Sequence, residues 1–182
     1  NHDTNGSSWT DNVWGEMWTA IRPAGYAKNN NIKRDNAENE LSLSTDGPRA
    51  GTPNYEHNND VDILSDGYSL MPGVWYHVCA VKAGKELQLY LNGKLIANGT
   101  SRGRGPYNWK NGAKFYVGGS MTNLASLTGW VDEVQIWSKA LSEAEVKEAM
   151  KGYKTAPANL EGYFTFEEQK TDSEGYIYFP NT

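Results

Sequence analysis

Apolar residues recur along this chain mainly with a period of two, the spacing of β-strands. Between Val13 and Arg22, Val13, Met17 and Ile21 fall on one face, and Trp14, Trp18 and Ala20 on the other. Both faces are substantial, so a strand covered on both sides is expected. Leu41 and Leu43 alternate with Glu40, Ser42 and Ser44, which predicts a strand with one wet face. Trp75 to Val81 is apolar on both faces. Leu87, Leu89 and Leu91 alternate with Glu86, Gln88 and Tyr90, and Asn92-Gly93 supplies the positive φ angles of a type I′ hairpin turn. Phe115 with Val117, Val131 to Trp137, Leu160 to Phe166 and Tyr176 to Phe179 complete the expected strands.

One helix is specified. Ser142 reads as an N-cap, Glu145 three residues on closes a capping box, and Leu141 and Val146 stand where a hydrophobic staple needs them. The helix should run from about Glu143 to Lys151 and stop at Gly152. In the strand before it, an unbroken period from Val131 would place Val134 and Ile136 on the opposite face. If all three are core residues, the chain switches parity at Asp132-Glu133, as a β-bulge does. Asp132 would then bond the backbone donors freed there, or hold a cation.

At 182 residues the chain is read as one domain, 1–182, large enough for a real core. Seven Trp, eleven Tyr and nineteen Gly among short alternating runs point to an all-β sandwich. Hydrophobic content is 38% and mean hydropathy −0.70, so the expected surface is very polar. No apolar run is long enough to span a bilayer, so no membrane insertion is expected. The net charge of −5 and the lack of a basic stripe argue against nucleic acid as a partner. Cys79 is the single cysteine, so no internal disulfide exists, and an inert buried thiol is expected. A domain of this size can dispense with disulfides even outside the cell, which favours a bacterial exported protein. Asn5-Gly-Ser and Asn98-Gly-Thr match the glycosylation sequon, which is common by chance and silent in most bacteria. Asn1 in place of Met suggests a mature or excised part of a larger parent chain, with other domains and an export signal upstream. Three polar segments, 28–39, 45–62 and 98–114, interrupt the strands as long loops of the kind that carry function.

The stretch Leu127-Thr-Gly-Trp-Val-Asp-Glu-Val-Gln-Ile-Trp-Ser-Lys-Ala-Leu-Ser-Glu-Ala-Glu-Val146 resembles a segment near the end of laminin-G-like and pentraxin-like domains. These belong to the concanavalin A-like lectin/glucanase superfamily. Gly73 to Val81 with Leu87 to Leu95 is similar to the paired central strands of such domains, and Phe115-Tyr-Val-Gly-Gly119 to a third strand. The resemblance implies a jelly-roll sandwich of two antiparallel sheets with one short helix near the C-terminus. It does not imply one function, since the fold carries enzymes, lectins, adhesins and spacers alike. Such domains open with a strand that residues 1–12 are too polar and short to supply. Either the C-terminal segment fills that edge or the first strand was lost on excision.

The resemblance sets the chemistry to look for. Glucanase relatives carry E-x-D-x-(x)-E on one strand, which brings two carboxyls to one glycosidic bond. Here Gln135 and Trp137 stand where partners of Asp132-Glu133 would be, so no enzyme is expected. The three His are scattered, and His77 reads as a structural, hydrogen-bonded histidine. Calcium-binding relatives suggest a structural Ca²⁺ with Asp35, in Lys33-Arg-Asp-Asn36, and Asp132 as candidate ligands. The second half of a pentraxin site is missing, because residues 120–128 hold no carboxylate. Asp60, Asp62 and Asp66 read as turn residues. For a sugar, Trp109 in Gly105-Pro-Tyr-Asn-Trp-Lys-Asn-Gly112 offers a stacking face, or else anchors its loop on the sandwich. Tyr107, Tyr55 and His57 are further candidates, with Arg104 beside Arg102 for hydroxyls. Trp14, Trp18, Trp75, Trp130 and Trp137 are assigned mostly to packing. The expected function is a non-catalytic, lectin-like module that binds a glycan or polysaccharide in a secreted or cell-surface bacterial protein. The competing readings are a structural or adhesive domain with a protein partner, and a glycoside-active enzyme.

Overall fold

Leucines spaced two apart build the larger core. The computed structural model describes residues 16–22, 40–46, 61–100, 115–119 and 127–181. Contacts divide the chain into two compact units, Asn1–Leu91 with Leu95–Lys110, and Asn92–Lys94 with Asn111–Thr182. In the first unit β1 (Glu16–Arg22), β2 (Glu40–Asp46) and β3 (Val61–Ser69) form one antiparallel sheet in that order. A second sheet holds β4 (Val78–Ala83), β5 (Glu86–Leu91) and β6 (Lys94–Thr100). Leu41, Leu43 and Ile63 of the first sheet and Leu87 and Leu89 of the second form one buried cluster, with Leu70, Ala80, Leu91, Ile96 and Ala97 packed against it. Two sheets sharing one apolar layer make a sandwich.

Strand β3 was not foreseen. Its sequence, Val-Asp-Ile-Leu-Ser-Asp-Gly-Tyr-Ser, mixes turn residues into an apolar run, so Asp62 and Asp66 lie in a strand and not in a turn. The ladder between β2 and β3 is irregular: Ser42 faces Leu64, but Glu40 faces Ser69. At this break the Leu41 N–H donates to Ser65 Oγ at 2.8 Å, and the Ser65 hydroxyl donates to the Tyr68 carbonyl at 3.1 Å. Ser65 is fully buried, so its hydroxyl replaces a ladder bond that would otherwise be missing. The wet face expected for β2 is also corrected, since Ser42 is 0% exposed. On β1 the expected cover is absent at Thr19 and Ile21, which are exposed.

The β5–β6 hairpin forms as its sequence demands, with φ +49° at Asn92 and +74° at Gly93. Cys79 is half-buried and burial pushes its thiol up to about 11, consistent with an inert role. His77 precedes β4 instead of lying within it, and burial lowers its pKa. Residues 73–77 are not strand, and Val74 and Trp75 are exposed.

In the second unit β7 (Val134–Trp137) pairs antiparallel with β8 (Leu160–Phe164), and α1 (Glu143–Ala149) lies between them in sequence. The Ser142 capping box is complete, and Leu141, Val146 and Ala149 are buried. The parity switch takes a different form from a bulge inside a strand. Val131 is exposed, Glu133 adopts φ +54°, and the strand starts only at Val134. Residues 115–119 carry no strand, and Phe115 and Val117 face water, contrary to expectation. The C-terminal strands β9 (Lys170–Thr171) and β10 (Ile177–Tyr178) pair with each other. A single side chain does serve the free edge of β8: Asn181 Oδ1 accepts the Tyr163 N–H at 2.7 Å and its Nδ2 donates to the Glu161 carbonyl at 3.2 Å. That amide stands where a third strand would bond.

Candidate functional site

Trp109, Tyr107, Tyr55, His57 and Arg104, the expected sugar contacts, lie outside the described residues, as does Asp35. Asp132 is described and exposed, and its Oδ1 accepts the Glu133 N–H at 2.8 Å. That is a local turn bond, not the rescue of buried donors that the sequence suggested. Among the described residues no three His, Cys, Asp or Glu side chains gather around a point where a metal could sit. Asp132 with one oxygen so committed does not by itself fit a calcium ion, which takes six to eight oxygens.

Two features have site-like chemistry. The first, in the second unit, is an open cleft of about 390 Å³ lined by Glu133, Met150, Lys151, Gly152, Tyr153, Lys154 and Tyr163. Its wall is a hydrogen-bonded chain. The Tyr163 hydroxyl donates to Glu133 Oε2 and accepts the Tyr153 N–H at 3.3 Å. Burial, then the bond to Glu133, raises the Tyr163 pKa. Gly152 makes the close approach possible. Its φ is +71°, and a Cβ there would stand 3.0 Å from Tyr163 Oη and 3.4 Å from Glu133 Oε2. Nearby, Gln135 Nε2 donates to the Ala149 carbonyl at 3.0 Å and Trp137 Nε1 to Gln135 Oε1 at 3.2 Å. Trp137 meets Tyr153 edge-on, with centroids 5.7 Å apart. These bonds tie the end of α1 to β7 and β8. The network was missed in the sequence because its members come from three elements and share no motif; the only local signal was Gly152 after the helix.

The second feature is aromatic surface. Trp130 is 83% exposed, and in the first unit Trp75 is 65% exposed. Both had been assigned to packing, and the structure corrects that: neither lies in a strand, and each ring is open to water. Trp137, half-buried on β7, does pack. Trp14 lies outside the described residues, and the side chain of Trp18 is not described.

A laminin G family model, described as the concanavalin A-like lectin/glucanases superfamily, matches residues 4–147. No curated protein matches the chain. A crystal structure of an S-layer domain-containing protein (residues 221–444) from Clostridium thermocellum ATCC 27405 aligns with 21% identity and a TM-score of 0.40. The alignment covers 61% of this chain and 51% of that one, about half its length. The family match spans most of the chain. The chain therefore belongs to the concanavalin A-like lectin/glucanases superfamily.

Proposed function

We propose that this superfamily member is a non-catalytic carbohydrate-binding module of a secreted or cell-surface bacterial protein. The observation that carries the reading is the indole of Trp130, left in water on an all-β frame. Burying such a ring would gain on the order of 3 kcal/mol, so an exposed one calls for a use. Pyranose rings supply a partner, because their C–H faces stack on aromatic rings while their hydroxyls need polar groups at the rim. The loop with Tyr107 and Trp109 remains part of this reading, with Arg104, Tyr55 and His57 as hydroxyl or stacking contacts.

The absence of catalysis is supported by chemistry at Asp132-Glu133. Glu133 is occupied by the Tyr163 hydroxyl, and Gln135 and Trp137 replace the further carboxylates a glucanase strand would present. A domain of 182 residues can dispense with disulfides outside the cell, so the single Cys79 is compatible with export.

A glycan array run with and without EDTA tests the reading. Binding of at least one glycan is expected, with a dissociation constant between roughly micromolar and millimolar, since sugar hydroxyls replace water that was already well bonded. Loss of binding in EDTA would add a calcium ion to the reading. Failure to bind any glycan, or release of reducing ends that Glu133→Gln abolishes, would overturn it.

A further inference from the structure

In the second unit the segments 115–119 and 127–131 are joined by a backbone bond from the Leu127 N–H to the Gly118 carbonyl at 2.8 Å. Around that join Phe115, Tyr116, Val117, Leu127, Trp130 and Val131 are all exposed. Three of the six are aromatic, and Trp130 is the most exposed large hydrophobic residue among those described. A contiguous set of this kind marks a contact surface, whereas single exposed apolar residues do not.

The charges beside it select the partner. The two segments contain no Lys or Arg; Lys114 precedes Phe115, and Asp132 and Glu133 follow Val131, beside Trp130. Glu133 Oε2 accepts the Tyr163 hydroxyl and Asp132 Oδ1 accepts the Glu133 N–H, so exposed Asp132 keeps its Oδ2 as a carboxylate acceptor beside Trp130. The two carboxylates next to Trp130 repel uronic acids, sulfated sugars and nucleic acids at that end, and they favour a neutral ligand that donates hydroxyl hydrogens. More than one ring along the join suits a chain of sugars better than one sugar. A β-linked chain with equatorial hydroxyls presents flat, apolar C–H faces in succession.

We propose that this surface is a stacking platform for an uncharged β-linked polysaccharide, with Trp130 as the anchoring ring and Asp132 accepting a sugar hydroxyl. The proposal rests on the reading of the chain as a glycan-binding module and adds a location and a ligand class to it.

Affinity electrophoresis of the full chain tests it, using hydroxyethyl cellulose and barley β-glucan as neutral probes and polygalacturonate as the acidic one. Retardation by a neutral probe and none by polygalacturonate is expected. Trp130→Ala should weaken the neutral interaction at least about tenfold, and Trp130→Phe should keep part of it, with unchanged circular dichroism because the ring lies outside the core. Asp132→Asn, which keeps an acceptor but removes the charge, should retain neutral binding and reduce the exclusion of polygalacturonate. Full retardation of Trp130→Ala, with loss in Trp109→Ala, would overturn the location and leave the glycan-binding reading standing. Retardation by polygalacturonate alone would overturn the ligand class. If no glycan retards the wild type in this or any array format, both the inference and the reading fall. A dimer in sedimentation that Trp130→Ala dissolves would assign the surface to a second copy of the chain and overturn the inference.

Discussion

In the first unit, aliphatic side chains from two facing sheets are buried against each other, with Leu43, Leu87 and Leu89 at 0% exposure. In the second, β7, β8 and α1 surround buried Leu141, Val146 and Ala149 and are also joined by polar bonds that name their partners: Gln135 to the Ala149 carbonyl, Tyr163 to Glu133, Asn181 to both groups of the β8 edge. Apolar burial is non-directional and grows with area, so it tolerates irregularity elsewhere, such as the break between β2 and β3. Directional bonds work only if each donor meets its acceptor, so that single residues matter more than pattern. The second unit also keeps Phe115, Tyr116 and Trp130 on its surface. These rings lie on segments 115–119 and 127–131, apart from the polar bonds that tie β7, β8 and α1.

The largest expected effect lies in the first unit. Leu89→Ala empties a fully buried position and should lower stability by about 2–5 kcal/mol, read as a fall in the urea midpoint at constant slope. Gly152→Ala comes next, at about 1–3 kcal/mol. It places an L-residue at φ +71° and pushes a methyl against Tyr163 Oη, so both backbone and network suffer. A Gly152→Ala protein as stable as wild type would show that the Tyr163–Glu133 junction yields easily, and the contrast between the units would blur.

How much of this could be read from sequence follows the same division. The Leu41/Leu43 and Leu87/Leu89 alternations announced the core, Asn92-Gly93 its hairpin, and Ser142 with Glu145 the helix start, because each is a local rule. The family resemblance was legible for the same reason. Strand β3 was hidden since Ser65, a residue counted as polar, is buried to repair a ladder, and Asp and Gly interrupt the run. Trp75, Trp130 and Phe115 were misplaced because alternation reports a period and not the presence of a partner layer. Nothing local could foretell that Gly152, Tyr153, Tyr163 and Glu133 would meet, since that depends on where three elements end. The expected sugar contacts at 107 and 109 fall outside the described residues, among which Trp130 is the most exposed ring.

Removing one hydroxyl sharpens the contrast further. Tyr163→Phe deletes the donor to Glu133 and the acceptor for the Tyr153 N–H, and should cost about 1–2 kcal/mol in denaturant unfolding. If it cost as much as Leu89→Ala, the polar network would rank with the aliphatic core, and the comparison would fail. Ser142→Ala removes the cap from a seven-residue helix and should cost about 1 kcal/mol. Exposed pairs such as Lys147 with Glu143, at 2.6 Å, should change stability by a few tenths at about the limit of measurement.

The smallest effect is a pH dependence centred on the same cap. The Lys139 ammonium, then the Ser142 N–H and hydroxyl, hold the Glu145 carboxyl down at about 2, against an ordinary 4.5. Because the folded value is depressed, the contribution is fully present above the unfolded value and is lost as pH falls from about 4.5 towards 2. The group is open to solvent, so the loss should be modest and partly screened by salt. Urea midpoints measured from pH 6 to pH 2 for wild type and Glu145→Gln isolate it from the other carboxylates, which titrate in both proteins. The difference between the two should be constant above about pH 5 and shrink as the pH approaches 2. Adding salt should reduce the share due to Lys139 and leave the bond to the Ser142 N–H. A difference that does not change across this range would mean that Glu145 titrates alike in the folded and unfolded chain, and that the capping box orients the helix start without a charge-dependent contribution.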